Sequence, residues 1–488
     1  MNGAFVGALL TAALVAVSYS GWKIAGLPFA PFDIFDWAVR LLPGSVVTAA
    51  IETSVTVARV FGVTNISVAA KAGDQILAVA LLLLAGAAAG AALFWTLSLS
   101  EEPALLFGGI LGAVLGGLAL IAEQRLQRLP QGSIVPGAWV FATCLGWGLS
   151  FGWTHDRLRR VVTSHQSPVA SRRRFMLRLG AATLWTTAAS AILGALAGRW
   201  TRTPTGPRWS DDHALPNAGS PVAPVRGTRA EFTRLEDHYR IDTDTRAPEI
   251  DADRWRLVVG GLVDRSRSFT LTELRALPAT HQFITLSCIS NPVGGDLIST
   301  TRWSGVSLQQ LLQNLALKAS ATHLKVTSAD GFYEVVSVDT IRSDSRVMLA
   351  YAWDGVPLST EHGFPLRLYM PDLYGMKQPK WMVSIDAIDH WEPGFWVARG
   401  WDREGHVVTT AAVDAVVRRG DVVEVGGFAH AGARGVSRVE VRADEGEWQS
   451  AQIREPMSGT TWVIWRAEFR LPDGSRHRFA ARAFDRST

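Results

Sequence analysis

The chain has 488 residues, too many for one ordinary domain, and so predicts several. Its formal net charge of +4 is small for that length, and no basic stripe with interleaved aromatics is present, which excludes a nucleic-acid partner. Composition is uneven: residues 1–198 are rich in Ala, Leu, Gly and Val with sparse charge, whereas 199–488 have the mixed charge of a soluble protein.

A bilayer core takes about 20 apolar residues in helix. Residues 75–97, 103–122, 134–153 and 175–197 meet that need. Residues 3–20 are shorter but uncharged, and read as a fifth span rather than a cleaved signal peptide, because no basic region precedes them. Residues 31–62 are interrupted by Asp33, Asp36, Arg40, Glu52 and Arg59, and predict one or two amphipathic helices on the membrane or packed on the bundle. Between spans four and five stand Arg157, Arg159, Arg160, Arg172, Arg173 and Arg174 against Asp156 alone. Basic short loops face the cytoplasm, so this loop and the N-terminus are placed there and residues 199–488 outside. The run from Ser171 to Leu177 also resembles the twin-arginine export motif; its plainer reading is an ordinary positive-inside cluster. Dense Gly and Ala at 85–92 and 108–117 predict close helix packing, and Cys144 in span four a packed small residue. No histidine lies inside a predicted span, so no in-chain haem is expected. The spans hold almost no ionisable residues, which speaks against a transporter. The bundle reads as a lipid-embedded anchor or a docking surface for another membrane protein.

Residues 199–227 are rich in Pro, Thr, Gly, Ser and Asp and predict a linker, with ordered structure from near Phe232. Residues 254–263 alternate like a strand and end in a turn. Thr270-Leu271-Thr272-Glu273 fits a capping box that opens a helix to about Leu277; Ser307-Leu308-Gln309-Gln310 opens another to about Leu317. Strands are predicted at 283–288, 324–327, 333–338, 347–351 and 366–370. Mixed strands and short helices without βαβ regularity indicate an α+β domain. From about Thr409 the pattern is all-β, with strands at 422–428, 436–443, 448–453, 462–471 and 477–484, which predicts an immunoglobulin-like sandwich. The expected division is a transmembrane helical domain at 1–198, a linker at 199–227, an α+β domain at 228–402 and the sandwich at 403–488.

Only two cysteines are present, Cys144 in the apolar half and Cys288, so Cys288 has neither a disulfide partner nor a CxxC neighbour. A lone thiol after a strand-like run is a core residue, a nucleophile or a soft-metal ligand, and the residue alone leaves all three open. Its surroundings say more. Thr285-Leu286-Ser287-Cys288-Ile289-Ser290-Asn291, then Arg302-Trp303-Ser304-Gly305-Val306, resemble the molybdenum-binding region of the sulfite oxidase family. His362-Gly363-Phe364-Pro365-Leu366-Arg367 and Tyr374-Gly375-Met376-Lys377-Gln378-Pro379-Lys380-Trp381 resemble its pterin-phosphate segments. Tyr239-Arg240-Ile241-Asp242 resembles its N-terminal site segment, and the all-β region its dimerisation domain. The likeness covers about residues 232–486; the membrane half lies outside it.

The resemblance implies a sulfite-oxidase-like molybdopterin domain in which Cys288 supplies a thiolate to molybdenum that a pterin dithiolene also holds. It implies that Asn291 belongs to the ligand loop, that His362, Arg367, Lys377 and Lys380 hold the cofactor phosphate, and that Arg302 and Trp303 face the pterin or an anionic substrate. Tyr239 and Arg240 would enter the site from upstream, and Tyr333 would be the active-site tyrosine, with Phe332 as the other candidate for that place. One departure stands out: Pro292 and Val293 occupy the places where the family usually carries an arginine pair. Oxidation of a small oxyanion such as sulfite and reduction of a sulfoxide are therefore both retained. The expectation is a membrane-anchored oxygen-atom-transfer enzyme, outside a bacterial cytoplasmic membrane, with a separate electron-transfer partner and pairing through the C-terminal domain. The competing reading is a membrane-tethered binding or assembly module with a degenerate cofactor domain.

Overall fold

A computed structural model describes residues 2–60, 66–99, 102–126, 128, 134–163, 168–197, 206–472 and 476–487. It forms two compact units: Met1–Leu42, Ala70–Arg202 and Thr243–Arg246 make up the first, and Pro43–Ala69, Thr203–Asp242 and Ala247–Thr488 the second.

The apolar half is helical: α1 (Asn2–Ala25), α2 (Ala30–Arg40), α3 (Gly44–Val60), α4 (Ile66–Ser98), α5 (Ala104–Arg125), α6 (Val135–Thr163) and α7 (Pro168–Ala197). Among the described residues four helices are long and apolar enough to cross a membrane: Gly3–Ala25, Lys71–Ser98, Ala104–Arg125 and Arg173–Gly194. The predicted span at 134–153 forms the start of α6, which is as long but not among these four, because Pro, Gly and Trp dilute its apolar run. Small residues set the packing, as the Gly-Ala density predicts. Gly108, Gly112 and Gly116 are buried on α5, one turn apart, and α6 crosses them at Cys144 and Gly148. A Cβ on Gly148 would stand 2.2 Å from the Gly108 carbonyl oxygen, whereas one on Gly146 would meet nothing. Cys144 packs with Ala30, Ala119 and Val140.

The acidic residues of α2 are not on a solvated face. Asp33 and Asp36 are buried and answered by Arg128, which bridges Asp33, Asp36 and Asp244, while Arg246 reaches Asp33 at 3.0 Å and Arg40 reaches Asp244 at 2.6 Å. Residues 243–246 are thus strapped into the first unit by ion pairs.

In the second unit, the stretch 206–227 is packed on its neighbours. Trp209 N–H donates to the Asp354 carbonyl at 2.9 Å, and Arg454 donates to the Asn217 and Val222 carbonyls. One sheet has the order β2 (Arg267–Phe269), β1 (Leu257–Gly261), β10 (Met382–Ile388), β5 (His323–Ser328), β6 (Tyr333–Ser337), with β1 and β10 parallel. A second has β3 (Ala279–Ser287), β4 (Ile298–Ser307), β7 (Met348–Trp353), β8 (Val356–Pro357), with β9 (Arg367–Tyr369) also on β7. The capping box forms reciprocally: Glu273 N–H donates to Thr270 Oγ1 at 3.1 Å and Thr270 N–H to Glu273 Oε2 at 2.8 Å, opening the helix Leu271–Arg275. Ser307 caps the helix Leu308–Leu315, whose buried leucines join the core between helices and first sheet.

The C-terminal region forms two antiparallel sheets sharing one core. One has the order β11 (Thr410–Arg419), β12 (Val422–His430), β16 (Val463–Arg470), β15 (Gln452–Ile453); the other has β14 (Gln449–Ser450), β13 (Val436–Ala443), β17 (Phe479–Asp485). It is tied to the α+β region by Arg434, which forks onto Asp372 at 2.5 and 2.6 Å, and by Ser458 and Thr460, whose hydroxyls donate to the Phe283 carbonyl.

Overpacking a helix crossing costs about 1–3 kcal/mol. Gly148→Leu should therefore lower the thermal midpoint of the detergent-solubilised chain, and Gly146→Leu should leave it near wild type; circular dichroism on heating reads both.

Candidate active site

Cys288 is the first residue beyond β3. Its N–H donates to the Leu297 carbonyl at 2.9 Å, and its carbonyl accepts from Asn291 N–H at 3.0 Å. Asn291 closes the loop with its side chain, Oδ1 accepting from Leu297 N–H at 2.9 Å. The Cys288 side chain is buried in a cluster with Tyr239, Leu297 and Trp303. Burial pushes its thiol up, and hydrogen bonds from Ser290 and the Ile289 backbone favour the thiolate and pull it back. Tyr239 lies within electrostatic reach of both Cys288 and Arg367. Burial raises the Tyr239 phenol far above its usual range and keeps it protonated.

The cations come from three segments. Arg367, on β9, is 6% exposed and lies 4.9 Å from the Trp303 ring. Among the described residues its guanidinium hydrogen-bonds only to the His362 carbonyl, at 3.2 Å, and no carboxylate pairs with it. Lys380 donates to the carbonyls of Ile241 and Glu361 and sits 3.5 Å from Asp242, which also takes Arg240 at 2.8 Å. Burial lowers Arg367 to about 10 and Lys380 to about 8. Two cations therefore share Asp242, and Arg367 shares none of it. A buried charge without a counter-charge costs several kcal/mol, so this arrangement is suited to an anion.

Two imidazoles line the same place. His362 Nε2 faces the carbonyls of His238 and Tyr239, both at 3.3 Å, and Nδ1 faces Ser359 Oγ at 2.8 Å. Carbonyls only accept, so Nε2 carries the proton and Nδ1 accepts from serine. His238 Nδ1 likewise donates to the Tyr239 carbonyl at 3.2 Å, which leaves Nε2 as a bare acceptor, buried and without a partner among the described residues. Trp303 Nε1–H is a buried donor that likewise has no partner among the described residues. Burial holds His238 down to about 3 and His362 well below the usual imidazole range, so both are neutral. Gly363, at φ +109°, lets the chain turn between Arg367 and Lys380; a Cβ there would stand 3.1 Å from Arg367 Cβ and 3.2 Å from Lys380 Cβ.

The structure thus gathers Cys288, Tyr239, Arg240, Trp303, His362, Arg367 and Lys380. It does not gather the rest of the predicted set. Successive residues of a strand face opposite ways. Arg302 leaves β4 on the face away from Trp303, at 5.2 Å from the Trp209 ring and paired in register with Phe283. Lys377 makes a buried ion pair with Glu334 at 3.1 Å. Tyr333 packs on Phe395 at 6.2 Å with Lys325 5.2 Å from its ring. Asn291 acts within the loop rather than toward the cations. His238 and Trp353, whose ring centroid is 4.5 Å from that of His362, are site residues the sequence did not single out. His238 had a signal in its place directly before Tyr239; Trp353 had none.

Two family models match the second half of the chain. The profile of an oxidoreductase molybdopterin binding domain matches residues 244–396, and that of a Mo-co oxidoreductase dimerisation domain matches 404–488. Mitochondrial sulfite oxidase of Rattus norvegicus is 28% identical over 276 residues, which is 46% of this chain and 50% of that protein. The oxidoreductase YuiH of Bacillus subtilis is 30% identical over 155 residues, 32% of this chain and 76% of that protein. The NAD(P)H nitrate reductase of Hordeum vulgare is 26% identical over 341 residues, 55% of this chain and 38% of that protein. The chain belongs to the sulfite oxidase family of molybdenum-cofactor oxidoreductases. It spans about half the length of the curated mammalian sulfite oxidases it matches.

Lys380 gives a pH test of the buried charge. Its folded value, about 8, lies below the ordinary 10.5, so between the two the unfolded chain holds a proton that the folded chain has released. The stability of cofactor-free protein should rise with pH across that window. Thermal unfolding in a pH series should show this slope in wild type and its loss in Lys380→Met.

Proposed function

We propose that this chain is a membrane-anchored molybdopterin oxidoreductase that transfers an oxygen atom to or from a small substrate outside the cytoplasmic membrane. The observation that carries the reading is the uncompensated buried charge at Arg367, which with the Cys288 sulfur lies within electrostatic reach of Tyr239.

The residues fit the family's cofactor. Arg367, Lys380 and Arg240 answer a phosphate, whose oxygens accept from cations. The bare His238 acceptor and the Trp303 donor suit a heterocycle that carries both N–H and C=O groups. Cys288, the soft ligand, would hold the metal, and the loop donors Ser290 and Ile289 would stabilise its thiolate. When bound, the molybdenum supplies the two-electron oxygen-transfer chemistry. The chain's own part is to hold the cofactor's charge, to keep Tyr239, His238 and His362 neutral around it, and to exclude water with the packed rings of Trp303 and Trp353. Lys377, Arg302 and Tyr333 have structural partners of their own and are assigned lesser parts.

The rest of the reading follows the predicted organisation. The helical half, with α6 as a fifth span, anchors the protein in lipid. The arginines at the end of α6 and the start of α7 face the cytoplasm, and those of α7 serve as an export signal for a folded, cofactor-loaded domain. The domains are drawn at 1–198, 199–227, 228–402 and 403–488. The last, an immunoglobulin-like sandwich, pairs two chains. Electrons pass to or from a separate partner.

Metal analysis and dye-linked turnover of the purified full-length chain test this. Wild type should carry stoichiometric molybdenum; Cys288→Ser should lose most of the metal and all turnover while keeping the fold. Metal and turnover that survive in Cys288→Ser overturn the site assignment. A wild type that binds no molybdenum favours the tethered binding module.

A further inference from the structure

Asp242, the carboxylate that Arg240 and Lys380 share, stands at a boundary in the chain. The second unit runs to Asp242, Thr243–Arg246 belong to the first, and the second resumes at Ala247. The described residues between Asp237 and Leu257 form no helix or strand, so side-chain contacts set the path of this segment. At its start, Tyr239 N–H donates to Ser299 Oγ at 3.0 Å, and Lys380 donates to the Ile241 carbonyl at 3.1 Å. From Thr243 the helices of the first unit take over. Two α4 side chains hold the backbone: Lys71 donates to the Asp244 carbonyl at 2.6 Å and Gln75 to the Thr245 carbonyl at 3.0 Å. Asp36 accepts from Thr245 N–H at 2.9 Å and from the Thr245 hydroxyl at 3.1 Å. Arg40 and Arg128 each take one Asp244 oxygen at 2.6 Å, and Arg246 pairs with Asp33.

Asp33, Asp36, Asp244 and Thr245 are all buried. Burying ions is costly, and apolar packing of similar volume would hold a loop as firmly. What buried ion pairs add is register. Sliding this segment by one residue would take Asp244 from Arg40 and Arg128 and leave all three charges buried and unanswered. The socket therefore fixes which residue sits where, and not only that the segment is bound. Asp242 is the next residue along the chain, so its backbone inherits that register. Its carboxylate in turn sets how the charge of Arg240 and Lys380 is held.

We propose that the helical half positions the cofactor site through the chain itself: the ion-pair socket around Thr243–Arg246 fixes the backbone at Asp242, and with it the place where Arg240 and Lys380 present their charge to the cofactor phosphate. Asp36, Arg128 and Asp244 are positioning residues for that phosphate, and the first unit does more than anchor. The inference rests on the molybdopterin reading above.

A Gly-Gly-Ser-Gly insert between Asp242 and Thr243 of the full-length chain slackens the link and keeps every side chain. The same insert between Arg246 and Ala247 lies beyond the socket and is the control. Pterin dissociation from the detergent-solubilised protein, followed by fluorescence, should be about tenfold faster with the first insert, the factor that ordering one backbone residue is worth. With the control insert it should stay near wild type. Asp244→Asn, which loosens the socket and leaves the connection intact, should speed release in the uninserted chain and add nothing in the chain slackened after Asp242. Wild-type retention by the first insert or by Asp244→Asn, equal loss from both inserts, or additive effects of Asp244→Asn and the first insert overturn the proposal. A wild type that carries no pterin overturns the enzyme reading, and the empty protein then decides this one. Lys380 faces Asp242, Arg240, Arg367 and Asp330, and of these Asp242 does most to hold its proton. The rise of stability with pH should therefore begin at lower pH with the first insert and not with the control. An unchanged onset overturns the proposal.

Discussion

A guanidinium buried without a carboxylate is the constraint on which the catalytic half depends. Arg367 sits on a short strand paired with β7 alone, with its charge against Trp303 and the His362 carbonyl. No carboxylate among the described residues neutralises it, and Lys380 and Arg240 add charge that Asp242 only partly answers. Packing alone would place an aliphatic residue there. The neutral imidazoles follow from the same field: His238 and His362 are pushed down by burial first and by these cations next. Every polar neighbour thus either donates to the backbone or waits for a group that the chain itself does not carry.

The sheet geometry sorts the site more sharply than the motifs do. Arg302 and Trp303 are neighbours in sequence and belong to one motif, yet β4 sends them to opposite faces. Lys377 and Lys380 stand on one segment, but the turn between them commits the first to Glu334 and delivers the second to Asp242. A motif names the segment that reaches a site; the pleat and the turn decide which of its side chains arrives.

Much of the fold was legible because local chemistry matched it. The capping box at Thr270, the helix after Ser307, and the strands from 422 to 484 formed near where composition and turns placed them. Besides the short β2 and β8, three longer strands were not foreseen. β4 reads Ile-Ser-Thr-Thr-Arg-Trp-Ser-Gly-Val-Ser, too polar to resemble a buried strand. It is buried because its hydroxyls are satisfied from the side: Thr300 by Thr285, Ser304 by His281, and Ser299 by the Tyr239 N–H. β10 and β11 were hidden by mixed polarity, since one is flanked by two strands of a half-exposed sheet and the other lies on a sheet edge. In the helical half the Gly-Ala density foretold the α5–α6 crossing, but the inward turn of Asp33 and Asp36 needed partners, Arg128 and Arg246, that lie far along the chain. Of the site, the motifs gave Cys288, Arg367 and Lys380, and sequence had no means to show that His238 would be buried with a ring nitrogen unpartnered among the described residues.

The most direct measurement is the pterin retained by Arg367→Met, released on denaturation and quantified by fluorescence beside the stability of the cofactor-free form. Exchanging a lone buried charge for an apolar side chain of similar size should leave the empty protein at least as stable. The account predicts a folded variant, as stable as wild type or more so, that has lost its pterin. A variant that keeps a full complement of pterin, or an empty form that unfolds without Arg367, would show that the guanidinium serves the fold and not the cofactor.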